Sequence, residues 1–171
     1  MKASRPKLSE GYAEKLAAFA AHLTYEDLPQ DVIRQTKVLL LDTLGALLAA
    51  SSPKYSAGRI ISEFVRQLGG SEESTVVGQD FKTSCVDAAL ANGTMGYYCD
   101  IESHHPGAIV HAAAVTVPSA LAVGERERTD GKTLLVSMAL GLDVACRVSL
   151  AIGPTALYRR GFHPTSVSGG C

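Results

Sequence analysis

The chain has 171 residues, of which 46% are hydrophobic and 19% are charged. Its 16 lysines and arginines nearly balance 17 acidic residues, for a formal net charge of −1. This balance excludes the strongly basic surface typical of nucleic-acid-binding proteins. The length is sufficient for a hydrophobic core without disulfides or metals. We therefore expect a single domain over residues 1–171, in which an anionic ligand would be held by locally grouped cations.

The longest apolar stretch, Val38 to Ala50, is interrupted by Asp42 and is shorter than the roughly 20 residues of a membrane-spanning helix. The N-terminal residues do not have the apolar segment of a secretory signal. The cysteines are far apart and form no C-x-x-C pair, which is typical of reduced thiols. These features predict a cytoplasmic protein that does not span a membrane.

Helical periodicity predicts six helices in chain order. The first is capped by Ser9 and ends near Leu23, and its apolar residues recur at spacings of three and four. The others cover about residues 29–50, 57–68, 84–98, 109–124 and 132–151. The second half of the second helix is apolar on nearly all sides, which predicts a central position. The β-prone run from Ser74 to Gly78 is too short to be more than an extended connector, so the sequence predicts an all-α fold.

Two loops carry the polar side chains expected of a functional site. Histidine titrates near neutral pH, and a neighbouring carboxylate can orient its ring, so these residue types suit proton transfer. The polar residues of the middle loop are Asp100, Glu102, Ser103, His104 and His105, and those of the terminal loop are Arg159, Arg160, His163 and Thr165.

Four motifs, in the same order along the chain, resemble the N-terminal helical domain of the MmgE/PrpD family, which includes 2-methylcitrate dehydratase and cis-aconitate decarboxylase. The motifs are Leu41-Asp42-Thr43-Leu44-Gly45, Ala91-Asn92-Gly93-Thr94, Asp100 followed by His105-Pro106, and Gly161-Phe162-His163-Pro164-Thr165. The family's Asp-x-Asp-Asp-Thr segment is here Asp100-Ile101-Glu102-Ser103. The resemblance implies that residues 1–171 are the N-terminal part of that helical domain, without the family's second, smaller domain.

The resemblance also implies a lyase that needs no cofactor and transfers protons on a small di- or tricarboxylate. It implies catalytic positions at Asp100, His105 and His163, so we expect both imidazoles to face one polar concavity, with Asp100 near His105. It implies further site groups, including a lysine, downstream of Cys171, so these 171 residues alone are expected to be inactive. We assign substrate binding to four other residues, Ser103, Arg159, Arg160 and Thr165. The two arginines can equally well solvate a helix end.

A homodimer that binds neither nucleic acid nor membrane is the expected assembly. Zinc binding by Cys99, His104, His105 and His111 is not predicted, because no spacing matches a known zinc pattern. His104 is expected at the surface, His111 as a partly buried packing residue, and Asp42 as a hydrogen-bonded structural carboxylate. The alternative to the lyase function is a catalytically incomplete module for helical packing or dimerisation.

Overall fold

A computed structural model describes residues 11–170 of the protein. Within this range it contains eight α-helices, a short 3₁₀ turn at Tyr25–Asp27, and one antiparallel hairpin. The predicted all-α fold is therefore confirmed. The helices are α1 (Tyr12–His22), α2 (Gln30–Ser51), α3 (Ser56–Leu68), α4 (Cys85–Tyr98), α5 (Ala112–Glu127), α6 (Gly131–Ile152), α7 (Pro154–Arg159) and α8 (Pro164–Ser168). The strands are β1 (Ser74–Thr75) and β2 (Lys82–Thr83).

Side-chain caps explain where two central helices begin. The Ser84 hydroxyl accepts a hydrogen bond from the Asp87 amide at the start of α4, at 3.2 Å. The Asp130 carboxylate accepts one from the Thr133 amide at the start of α6, at 2.8 Å. Both caps satisfy amide groups that have no partner within the helix. The predicted cap of the first helix, Ser9, lies outside the described residues.

The core consists mainly of two groups of buried side chains. The first joins α2, α3, α4 and the segment that follows β1, and its members are Leu47, Ala50, Val65, Val76, Ala91 and Met95. The second joins α5 to α6, and its members are Ala113, Val117 and Met138, with Leu39 and Leu40 of α2 packed against it. Helix α2 therefore contributes to both groups, which holds the two halves of the domain together.

Close backbone packing and one buried amide fix the first half of the fold. A Cβ atom at Gly58 would overlap the Ala50 carbonyl oxygen, so the contact of α3 with α2 requires glycine. Asn92, which is 1% exposed, accepts a hydrogen bond from the Val77 amide and donates one to the Thr75 carbonyl, both at 2.9 Å. The Asn92 side chain thereby attaches the hairpin to α4.

Helix α2 is central, as predicted, because it packs against α3, α4, α5 and α6. Its second half is nevertheless not buried on all sides, because Leu41 is 73% exposed and Leu48 is 55% exposed. Within residues 11–170, α6 is the one helix that is long and apolar enough to cross a membrane, by length and composition only. In this fold α6 packs against α2, α5 and α8.

Candidate active site

The segment between α4 and α5 folds back on itself in a closed turn. The His105 amide donates to the Val110 carbonyl at 3.0 Å, and the Ile109 amide donates to the His105 carbonyl at 2.8 Å. The His105 ring takes part as well, because its Nδ1 accepts the Ala108 amide at 3.0 Å. Ile109 has a φ of 53°, in the left-handed region. This turn explains why α5 begins at Ala112, three residues after the predicted start at Ile109.

The closed turn brings His111, at the start of α5, next to two carboxylates. Its Nδ1 lies 2.9 Å from Oε1 of Glu102, and its Nε2 lies 3.7 Å from Oδ1 of Asp100. The Glu102 side chain has no exposed surface, whereas that of Asp100 is 77% exposed. The expected contact of Asp100 with His105 is therefore not formed, and Asp100 contacts His111 instead.

The contact between Glu102 and His111 has the distance of an ion pair but not the alignment of a hydrogen bond. Both Glu102 carboxylate oxygens and the Nδ1 atom of His111 have no hydrogen-bond partner among the described residues. Burial raises the pKa of Glu102 above its usual value, although its own backbone amide and the His111 ring act in the opposite direction. A buried carboxylate without hydrogen bonds is costly, and such groups are typical of functional sites.

His163 reaches the same place from the C-terminal end of the described chain. It caps α8, with its Nδ1 accepting the Thr165 amide at 3.2 Å, and its Nε2 lies 3.4 Å from the Tyr97 hydroxyl. The Tyr97 ring packs edge-on against the His111 ring, with centroids 5.2 Å apart. We refer to Tyr97, Asp100, Glu102, His111 and His163 as the site cluster.

One further hydrogen bond connects the two loops directly. The His111 amide donates to the Thr165 hydroxyl at 3.1 Å, and Thr165 is only 5% exposed. In this structure Thr165 therefore holds the two loops together, rather than facing solvent as a free hydroxyl for substrate. Its predicted role in substrate binding remains a prediction.

His105 lies apart from the site cluster. In the described part of the chain it makes no hydrogen bond, ion pair or ring contact with Asp100 or His163. It lines a cavity of about 580 Å³ between α2 and α6, together with Ser103 and His104, and His163 is not part of that lining. The structure therefore shows no direct contact between His105 and His163 within the described residues, and their sharing of one concavity remains a prediction. The ring of His111 takes the place expected for His105.

The remaining predicted residues lie around the site cluster. Ser103 is anchored through its backbone, whose amide donates to the Asp42 carboxylate at 2.9 Å. The prediction that Asp42 is a hydrogen-bonded structural carboxylate is thus confirmed. His104 is exposed, as predicted, and its ring centroid is 4.9 Å from that of His111.

Arg159 and Arg160 end α7 and are exposed. Neither forms an ion pair within residues 11–170. Tyr158, the residue before them, packs edge-on against the His163 ring with centroids 5.5 Å apart. The two arginines therefore follow a residue that contacts the site cluster, and their charges are free to meet an anion.

Tyr97, Glu102 and His111 are the site-cluster residues for which the sequence predicted no catalytic or binding role. His111 is partly buried, as predicted, but its ring contacts carboxylates as well as packing against Tyr97. One sequence feature indicates the position of His111. It follows the Pro106-Gly107 turn and directly precedes an apolar helix, so its side chain is expected close to the polar loop before that helix. Cys99, His104, His105 and His111, the zinc ligands considered from the sequence, are not gathered as a set within the described residues. Of these four residues, only His111 belongs to a group of potential metal ligands, and its partners there are Asp100 and Glu102.

The site cluster has the components of acid–base chemistry. A carboxylate beside one nitrogen of an imidazole orients the ring and leaves the other nitrogen to exchange a proton. Tyr97 adds a hydroxyl whose pKa is raised by burial and by the negative charges of Asp100 and Glu102, so it stays protonated and can donate. The arrangement is therefore suited to moving protons on a small molecule.

Comparison with known proteins gives one consistent result. A family model, the MmgE/PrpD N-terminal domain, matches residues 14–171. Cis-aconitate decarboxylase of Aspergillus terreus is 24% identical over 164 residues, which is 93% of this chain and 33% of the relative. Cis-aconitate decarboxylase of Homo sapiens is 28% identical over 160 residues, which is 91% of this chain and 33% of the relative.

A third relative, the cis-aconitate decarboxylase-like protein oryM of Aspergillus oryzae, is 26% identical over 164 residues, which is 91% of this chain and 33% of the relative. The chain thus spans about a third of the length of these relatives. Because the family model covers nearly all of the chain, and because the helical fold agrees with it, the chain belongs to the MmgE/PrpD family.

Proposed function

We propose that the protein is a cofactor-independent lyase that acts on a small di- or tricarboxylate, with cis-aconitate decarboxylation as the first activity to test. The observation that carries this proposal is that Glu102 and His111, from the connection between α4 and α5, meet Tyr97 of α4 and His163 before α8 in one cluster. Decarboxylases named for cis-aconitate are similar to the chain over more than nine-tenths of its length.

The proposed chemistry needs a proton donor close to the reacting carbon. Decarboxylation breaks the C–C bond to one carboxylate, releases CO2 and leaves the electron pair on carbon. A proton must then be added to that carbon. His111, oriented by Glu102 at Nδ1, supplies this proton from Nε2, and His163 is the second acid–base group, acting through its Nε2. A dehydration or an isomerisation would use the same residues, so the cluster supports the reaction class more strongly than the substrate.

Two exposed arginines can compensate the negative charge of the site cluster toward an anionic substrate. Asp100 and Glu102 repel a polyanionic substrate unless cations compensate, because like charges at short range disfavour binding. Arg159 and Arg160 are exposed, and the residue before them contacts His163. We assign them the binding of a substrate carboxylate, for which the guanidinium group is well suited.

The test is a comparison of histidine variants in the complete gene product, with cis-aconitate as substrate and CO2 release as the readout. His111→Gln and His163→Gln are expected to lower turnover by about a hundredfold or more, the usual range for losing a general acid or base. His105→Gln is expected to cost less than His111→Gln. His22→Gln, at the exposed end of α1, is the matched control. A loss confined to His105→Gln would overturn the assignment of His111.

A second candidate function is supported by exposed apolar side chains. Leu41 on α2 is 73% exposed, Val86 on α4 is 74% exposed, and Phe162 before α8 is 57% exposed. Apolar surface of this kind often marks an interface. Under this alternative the chain is a helical packing or dimerisation module without turnover. Light scattering that finds a dimer, together with no activity on di- or tricarboxylates, would favour the module.

A further inference from the structure

Glu102 is buried with only partial compensation by its protein neighbours, which are the His111 ring and the backbone of Ile101 and Glu102. Its side chain has no exposed surface, and neither of its oxygens has a hydrogen-bond partner among the described residues. Nδ1 of His111 lies 2.9 Å from Oε1 of Glu102 and is itself without a hydrogen bond among the described residues. A buried carboxylate is usually paired, hydrogen-bonded or bound to a metal. Two unpartnered ligand atoms therefore face each other at this point.

A third potential ligand lies within reach. One ligand atom from each of Asp100, Glu102 and His111 can be chosen so that all three lie within 4.8 Å of one another. Zinc bonds to imidazole nitrogen and carboxylate oxygen are roughly 2.0–2.2 Å long, so two ligands of a tetrahedral ion are about 3.4 Å apart. The Glu102 and His111 atoms are 2.9 Å apart, so a small outward shift of one side chain would admit the ion. Asp100 lies beside the other ring nitrogen of His111, with Oδ1 3.7 Å from Nε2, but its side chain is 77% exposed, so a change of its rotamer would bring the carboxylate to the ion.

We propose that Asp100, Glu102 and His111 form a binding site for a divalent transition-metal ion, with Zn²⁺ as the probe, and that the bound ion inhibits the enzyme. The ligand set is one imidazole and two carboxylates, in which the imidazole favours Zn²⁺ over Mg²⁺. The ion is an acquired inhibitor and not a resident cofactor. The inhibition follows from the proposed function, because an ion bound at Nδ1 of His111 would take the place of the Glu102 contact that orients the ring for proton transfer at Nε2.

The binding step is tested on the 171-residue chain itself, independently of turnover. Calorimetric titration with Zn²⁺ after chelator treatment is expected to give one saturable site. Glu102→Gln and His111→Gln are each expected to weaken it at least tenfold, because each removes one of the two preorganised ligands. His105→Gln, a histidine of the same loop outside the ligand set, is the matched control and should bind as the original chain does. Mg²⁺ should bind much more weakly.

A cysteine thiol could bind the ion in place of the proposed ligands, since Cys99 directly precedes Asp100. Titration with Co²⁺ distinguishes thiolate ligation from ligation by the carboxylates and the imidazole, because thiolate ligation gives an intense charge-transfer band and oxygen or nitrogen ligation does not. The proposal predicts a spectrum without that band. A thiolate band, or unchanged affinity in both Glu102→Gln and His111→Gln, would overturn the site. Circular dichroism of the two variants verifies that each retains its helical content.

The inhibition step is tested separately on the complete gene product. Zn²⁺ is expected to lower turnover of cis-aconitate with an inhibition constant close to the dissociation constant from calorimetry, and a chelator should restore turnover. Zinc that binds at the three residues without lowering turnover would overturn the inhibition. If the complete gene product has no lyase activity, the proposed function fails, and the calorimetric result still decides whether the metal site exists.

Discussion

The Tyr97 hydroxyl lies 3.4 Å from the Nε2 atom of His163, a contact that joins the end of α4 to the start of α8. A backbone amide already occupies the other ring nitrogen of His163, and an amide can only donate. Nδ1 is therefore the unprotonated nitrogen, and Nε2 carries the ring proton. In the neutral ring, His163 thus donates to the Tyr97 oxygen.

Tyr97→Phe tests how much this contact contributes. The change removes one long hydrogen bond and preserves the ring that packs on His111, so we expect turnover to fall by roughly tenfold or less. The measurement is kcat and KM on cis-aconitate, with circular dichroism to verify the fold. A fall as large as that of His163→Gln would contradict this expectation and would indicate that Tyr97 itself transfers the proton.

Asp42→Ala tests the anchor of the middle loop. The Asp42 carboxylate accepts the Ser103 amide at 2.9 Å from an exposed position on α2, so its loss should cost about 1 kcal/mol of stability. The more specific result is faster hydrogen exchange of the Ser103 amide, because that amide would be open to water. Unchanged exchange at Ser103 would show that the loop is held by other contacts. Asp31→Ala, a substitution in the first turn of the same helix, is the control.

Asn92→Ala should destabilise the fold strongly. The substitution leaves the Val77 amide and the Thr75 carbonyl without the partners that Asn92 now provides, at about 1–3 kcal/mol for each buried group. The free energy of unfolding in urea is the measurement. Thr94→Ala is the control, because Thr94 is exposed and bonds only within its own helix. Equal stability of the two variants would refute the structural role of Asn92.

Glu125 gives a prediction about pH. Burial alone would raise its pKa, but hydrogen bonds from Lys82 and Thr75 outweigh burial and lower it. Its contribution to stability is therefore complete above its unfolded pKa of about 4.3 and is lost as the pH falls through the lower, folded value. The side chain is 35% exposed, so Glu125→Gln should cost only about 1 kcal/mol at neutral pH. Urea unfolding at several pH values should show this difference shrinking in acid, and a constant difference would contradict it.

Much of the fold could be predicted from local signals. Ser84 and Asp130 are good capping residues, and the structure uses both of them as caps. The short helices α7 and α8 were not predicted, because segments of six and five residues have no clear periodicity. The exposure of Leu41 was missed because an apolar helix pattern indicates which residues are able to be buried, and not which ones have a partner.

The site was harder to predict than the fold, for a physical reason. Distance along the sequence suggested that Asp100 would contact His105, which is five residues away. The backbone hydrogen bonds between His105 and Val110 close a turn and bring His111 to Asp100 instead. The position of His163 beside Tyr97, over a separation of 66 residues, depends on the packing of α8 against α6 and α7, which no local pattern encodes.

The hydrogen bond from the His111 amide to the Thr165 hydroxyl has a consequence for synthesis of the protein. The ribosome releases the chain from its N-terminus, so α4 and α5 can pack together before residue 165 leaves the exit tunnel. Until then the His111 amide lacks its partner on α8 and is open to water. A series of stalled nascent chains of increasing length should therefore gain protection at His111 only once Thr165 has emerged.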